Sequence, residues 1–152
     1  MDNNKLAKEW FDSAGSNYQY AEVGLKGKDV FPQVAFLSQQ AAEKYLKGFL
    51  VLNNIKPPHS HELPQLLDKC AKINGSLERL RDACELLSGF YIETRYPPDI
   101  PGYTKEDLSQ ALQGLQIYHF LYLPHLVLSI SSRKDLQESH LFPAMIHILQ
   151  QT

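Results

Sequence analysis

Two proline-rich interruptions govern what this 152-residue chain can fold into. Pro57-Pro58, and Pro97-Pro98 with Pro101-Gly102, are stiff segments lacking backbone donors, which no helix interior accepts cheaply. Before, between and after them, apolar residues recur at steps of three and four, the period of a helix buried along one stripe. Leu6, Trp10, Ala14, Tyr18, Ala21 and Leu25 make the first stripe, with Lys5, Glu9, Asp12 and Asn17 off it. This first helix is expected to end at Gly27. Asp29 as a cap and Pro32 in the first turn predict a second helix, running to about Leu52 and stopping near Asn53-Asn54. A short third helix carries Leu63, Leu66, Leu67 and Cys70, and is expected to close at Asn74-Gly75 with the glycine left-handed. Ser76 reopens the pattern through Leu77, Leu80, Ala83, Cys84 and Leu87 toward Tyr96. Thr104 and Asp107 match a capping box ahead of Leu108, Leu112, Leu115 and His119, a long fifth helix that Pro124 kinks or ends. Lys134 to Gln150 is expected to form a small appended helix. No strand alternation occurs, so the period alone predicts an all-α fold.

Composition narrows the class. Hydrophobic residues at 43% and charged residues at 21% are those of a folded globular chain. A net charge of −2 supplies no global positive field for wrapping nucleic acid, so any such contact must be local. Cys70 and Cys84 form no CxxC pair, which suggests neither a disulfide framework nor a cysteine zinc site, and no metal or cofactor is expected. Met1 to Lys8 lacks the apolar core of a signal peptide. Ile117 to Ile130 is too short to span a bilayer and carries His119, Pro124 and His125. A cytoplasmic protein without membrane contact is the expectation.

The stretch Ala35-Phe36-Leu37-Ser38-Gln39-Gln40-Ala41-Ala42-Glu43-Lys44-Tyr45-Leu46-Lys47 resembles the signature helix of HEPN domains. Three later features agree: Pro58-His59-Ser60-His61-Glu62-Leu63 with Leu66-Leu67 behind it, the triplet Arg95-Tyr96-Pro97, and the long helix after a Pro/Gly loop. The resemblance covers roughly Lys5 to Leu123. It implies an up-and-down helical bundle of about five helices, residues 1–131, with residues 132–152 as a C-terminal extension. It also implies a homodimer, and pairing with a minimal nucleotidyltransferase as partner protein in toxin-antitoxin-like systems.

The same superfamily contains metal-independent ribonucleases that carry an Arg, a gap of four to six residues and a His. Arg79, Arg81 and Arg95 have no His at that distance. Arg133 and His140 fit, but lie beyond the matched region, and about 0.5 such pairs arise by chance in a chain of this composition. A non-catalytic interaction module is therefore the preferred expectation, and a metal-independent ribonuclease using Arg133 and His140 is the alternative.

Gln40, Lys44 and Lys47 lie at i, i+4 and i+7 on one helical stripe and can offer an amide and two ammonium groups to nucleotide or RNA phosphates. The competing reading is a solvated face on which Glu43 and the lysines are surface charge. Either way Lys47 is expected to be exposed. Arg95, ahead of two prolines, can aim a guanidinium at a phosphate or cap its helix, and Tyr96 can stack a base or pack at an interface. His59 and His61 flank Ser60 at the entrance to the third helix, where an imidazole can act as a base or simply cap and pack.

Overall fold

A computed structural model describes residues 2–27, 31–93, 104–110, 112, 113 and 115, the side chains of 31 and 90–93 excepted. All regular structure among these residues is helical. The helices are α1 (Asn3–Lys26), α2 (Phe31–Leu52), α3 (Leu63–Ala71), a 3₁₀ turn (Gly75–Leu80) and α4 (Arg81–Glu93). The described residues of 105–115 are also helical and make α5. They belong to one compact unit, Met1–Leu115; a second unit, Gln116–Thr152, lies outside the described residues. The expected boundary at residue 131, the kink at Pro124 and the appended helix fall there.

Asp2 caps α1, its Oδ1 accepting from the Asn4 N–H at 3.0 Å. The inward stripe of α1 is made of small residues, Ala7, Ala14 and Ala21, with Tyr18 beside them. Without side-chain bulk the backbones of α1 and α2 can approach closely. Asn3 Nδ2 donates to Asn54 Oδ1 at 2.9 Å and Lys44 Nζ to Ser13 Oγ at 2.8 Å, so the two helices run antiparallel. Leu6 and Trp10, expected on the buried stripe, are only half-buried.

The closest approach is at Gly48. A Cβ there would lie 2.6 Å from a Phe11 ring carbon and 3.0 Å from Trp10 Cβ. Gly48→Ala is expected to destabilise the protein by about 1 kcal/mol net, since overpacking of about 1–3 kcal/mol outweighs the roughly 1 kcal/mol gained in helix propensity. Chemical denaturation of the variant checks the sign.

α2 is the central element and packs against α1, α3 and α4. From Ala41 to Val51 every side chain but that of Lys44 is buried, which is why its polar residues cannot all be solvated. Its end is set by Asn54, at φ 61°, with the Asn54 N–H on Val51 O at 3.0 Å and the Ile55 N–H on Leu50 O at 2.9 Å. That pair of bonds is a Schellman closure, and asparagine is a residue that tolerates the left-handed conformation it needs.

Leu63, Leu66, Leu67 and Cys70 of α3 are fully buried, as their spacing predicts. The closure after α3 differs from expectation. Gly75 does not take a positive φ; Asn74 instead accepts from the Ser76 N–H at 3.1 Å through Oδ1 and opens the 3₁₀ turn. The fourth helical pattern therefore begins as 3₁₀ and becomes α only at Arg81. Leu77, Leu80, Cys84 and Leu87 are buried, while Ala83 is half-buried. Arg81 ties this region together, donating to Asp68 at 2.7 Å and to both oxygens of Glu78 at 2.7 and 2.8 Å.

The capping box of α5 is present. The Thr104 N–H donates to Asp107 Oδ2 at 2.7 Å and the Asp107 N–H to Thr104 Oγ1 at 3.2 Å. Leu108, Leu112 and Leu115 enter the core.

Candidate functional site: a buried carboxylate beneath the His61 loop

The signature stretch of α2 places Gln39, Glu43 and Lys47 at successive steps of four, one above another on one face. The loop that begins at Pro57-Pro58 returns over that face. Gln39 Nε2 donates to the His61 carbonyl at 3.3 Å, which holds the loop backbone, and His61 Nδ1 meets Glu43 Oε1 at 3.0 Å. Lys47 Nζ donates to the same Oε1 at 2.8 Å. On the other oxygen, Oε2, Glu43 accepts from Gln39 Nε2 at 3.3 Å and from Gln40 Nε2 at 3.5 Å. Gln40 also donates to Gln39 Oε1 at 2.8 Å.

Glu43 is 5% exposed and Lys47 6%. Burial alone would raise the carboxyl pKa. Hydrogen bonds from Lys47 and His61, with the charges they carry, outweigh it and hold Glu43 below the ordinary carboxylate range. An ionised carboxylate can only accept, so the Nδ1 atom of His61 is the protonated one. The neutral ring then turns a bare Nε2 outward, and its side chain is 61% exposed. The result is an imidazole at the surface, fixed in rotation and tautomer by a charge beneath it.

This arrangement corrects the expected surface of α2. Lys47 is a buried ion-pair partner, because the His61 loop and the neighbouring helices enclose the face on which it lies. Lys44 is half-buried on α1 through Ser13, and Gln40 is half-buried within the carboxylate cluster. The structure thus brings Gln40, Lys47 and His61 together and points Lys44 elsewhere. His59 is an exposed loop residue. Arg95, Tyr96, Arg133 and His140 lie outside the described residues. Glu43 and Gln39, which spacing alone treats as ordinary surface polarity, are the hub. The signal available for them is their position among Ala41, Ala42, Tyr45 and Leu46, too apolar a setting for a solvated face.

Among the described residues no group of three or more His, Cys, Asp or Glu side chains is placed to hold a metal ion. No helix among them is long and apolar enough to cross a membrane.

A bundle of helices whose second helix carries a buried glutamine, glutamate and lysine, clasped by a histidine from the following loop, is a definite structural class. The HEPN domain family matches residues 7–117, and the chain belongs to that family. Among solved structures it is similar to the protein TT1696 from Thermus thermophilus, with 30% identity and a TM-score of 0.64 over 74% of this chain and 92% of that one. No curated protein matches it.

Proposed function

We propose that this protein is a HEPN interaction module: a cytoplasmic homodimer that pairs with a nucleotidyltransferase-type partner in a toxin-antitoxin-like system and binds nucleotide or RNA phosphate. The observation that carries the module reading is apolar surface on the first helical hairpin. Tyr20 and Val23 on α1 are 67% and 68% exposed, and Phe36 on α2 is 46% exposed. Tyr20 and Val23 are one turn apart, and the antiparallel pairing of α1 with α2 brings Phe36 to the same end of the hairpin. Large apolar side chains clustered in this way favour burial against a second surface.

Tyr20→Glu/Phe36→Glu is expected to convert a dimer to a monomer in light scattering at micromolar concentration, with the helical circular dichroism unchanged. A wild-type monomer would contradict the homodimer. The neighbouring reading frame supplies the partner test: a small nucleotidyltransferase that co-purifies with this chain supports the pairing. Incubation of structured RNA without metal separates the ribonuclease alternative, since cleavage lost in both Arg133→Ala and His140→Ala would favour it.

A further inference from the structure

The ion cluster on α2 is under-coordinated at one group. The Lys47 ammonium has three N–H donors, and Glu43 Oε1 takes one; among the described residues it meets no other acceptor. A buried ammonium with spare donors is costly unless an acceptor completes it. The His61 ring hydrogen-bonds that same carboxylate oxygen, so imidazole and ammonium are neighbours, one at the surface and one beneath it. Glu43 is no obstacle to an anion there, since its two oxygens already accept from Lys47, His61, Gln39 and Gln40.

We infer that Lys47 and His61 form a site for one terminal oxyanion, a phosphate monoester end, which they bind only when His61 is protonated. The inference rests on the phosphate-binding part of the proposed function and gives it a ligand class and a regulation. Lys47 is 6% exposed, so a group must approach it end-on. A terminal phosphate has three free oxygens for this, whereas an internal diester carries a substituent on each side and cannot enter a recess. The proton requirement follows from the tautomer. Glu43 holds the proton on Nδ1, which leaves a lone pair on Nε2 of the neutral ring to oppose an anion. Only the imidazolium donates from both nitrogens. The charged groups around His61 among the described residues are Glu43 and Lys47 on α2 and Glu62 beside it in the loop. Glu62 accepts from Gln65, and Asp68 of α3 is engaged by Arg81. Histidines change charge between about pH 5 and 8, so affinity should rise as the solution is acidified through that range.

The experiment titrates the full chain by calorimetry with inorganic sulfate, inorganic phosphate, adenosine 5′-monophosphate and the diester ApA without terminal phosphate, at about pH 8 and about pH 5.5. Sulfate stays dianionic across the range and isolates the imidazole; the nucleotide and ApA separate a terminal from an internal phosphate. The expected result is binding of sulfate and the monophosphate about tenfold or more tighter at the lower pH, with little for ApA. His61→Gln should remove the pH dependence while leaving the fold intact. Lys47→Met should abolish binding at both values, with circular dichroism confirming that it folds. Binding that is equal for ApA and the monophosphate, or flat with pH and indifferent to His61→Gln, overturns this site while leaving phosphate binding elsewhere on the chain standing. Absence of binding to every probe overturns both.

Discussion

Replacing Glu43 with alanine should destabilise the protein by about 3–5 kcal/mol, the effect of leaving one member of a buried ion pair without the other. The loss is large because four donors converge on that carboxylate, from Lys47, His61, Gln39 and Gln40. A double replacement, Glu43→Met with Lys47→Met, should recover most of the stability, because removing both charges also removes both desolvation costs. Urea denaturation of the two single variants and the double variant measures this directly, and an additive double variant would contradict the pairing. The pH dependence has a definite sign. The folded-state pKa of Glu43 lies below its unfolded value, so the unfolded chain binds more protons on the acid side and stability rises with pH there. The contribution of Glu43 is complete above the ordinary carboxylate range and is lost as pH falls through the folded value. The stability gap between wild type and Glu43→Gln should therefore narrow on acidification.

Leu46→Ala should cost about 2–5 kcal/mol. Leu46 is fully buried on the central helix, and its carbonyl accepts from the Cys70 thiol at 3.5 Å, which places α3 directly against it. Truncation there opens a cavity between two helices that neighbouring packing cannot readily close. Leu46→Met, which keeps the volume, should cost less than about 1.5 kcal/mol. Ile73→Ala, at a position 39% exposed, should stay within about 0.5 kcal/mol. Similar losses for Leu46→Ala and Ile73→Ala in thermal denaturation would contradict the described core.

Much of the fold is legible from local rules because those rules operate locally. The four apolar positions of α3 share one face at helical spacing, and all four are buried. The Thr104–Asp107 capping box satisfies donors only three residues apart, so the tertiary fold has no say in it. Gly75 departs from expectation because a glycine permits a left-handed closure without requiring one, and the Asn74 side chain offers the chain another turn. The burial of Lys47 is not legible for a different reason. Helical periodicity sorts residues into one buried and one solvated face, which suits α1 with a single packed side. α2 is packed from several directions, so its polar stripe is covered by a loop eighteen residues further on, at His61. The loop partner of Glu43 can be found only by knowing where Pro57-Pro58 sends the chain. By contrast, the pairing of Glu43 with Lys47 at i, i+4 is visible in sequence; what the spacing lacks is the knowledge that water is excluded there.

The most direct test of the account is the tautomer of His61, because the carboxylate clasp, the held loop and the outward Nε2 all depend on one proton position. Long-range ¹H–¹⁵N correlation spectra of the imidazole rings, recorded at about pH 8 where histidines are mostly neutral, distinguish the two tautomers, and His61→Gln assigns the signal. The account predicts the proton on Nδ1, donated to Glu43, with Nε2 unprotonated, and a return to the ordinary Nε2–H mixture in Glu43→Gln. An Nε2–H tautomer in the wild type, unchanged by Glu43→Gln, would contradict it.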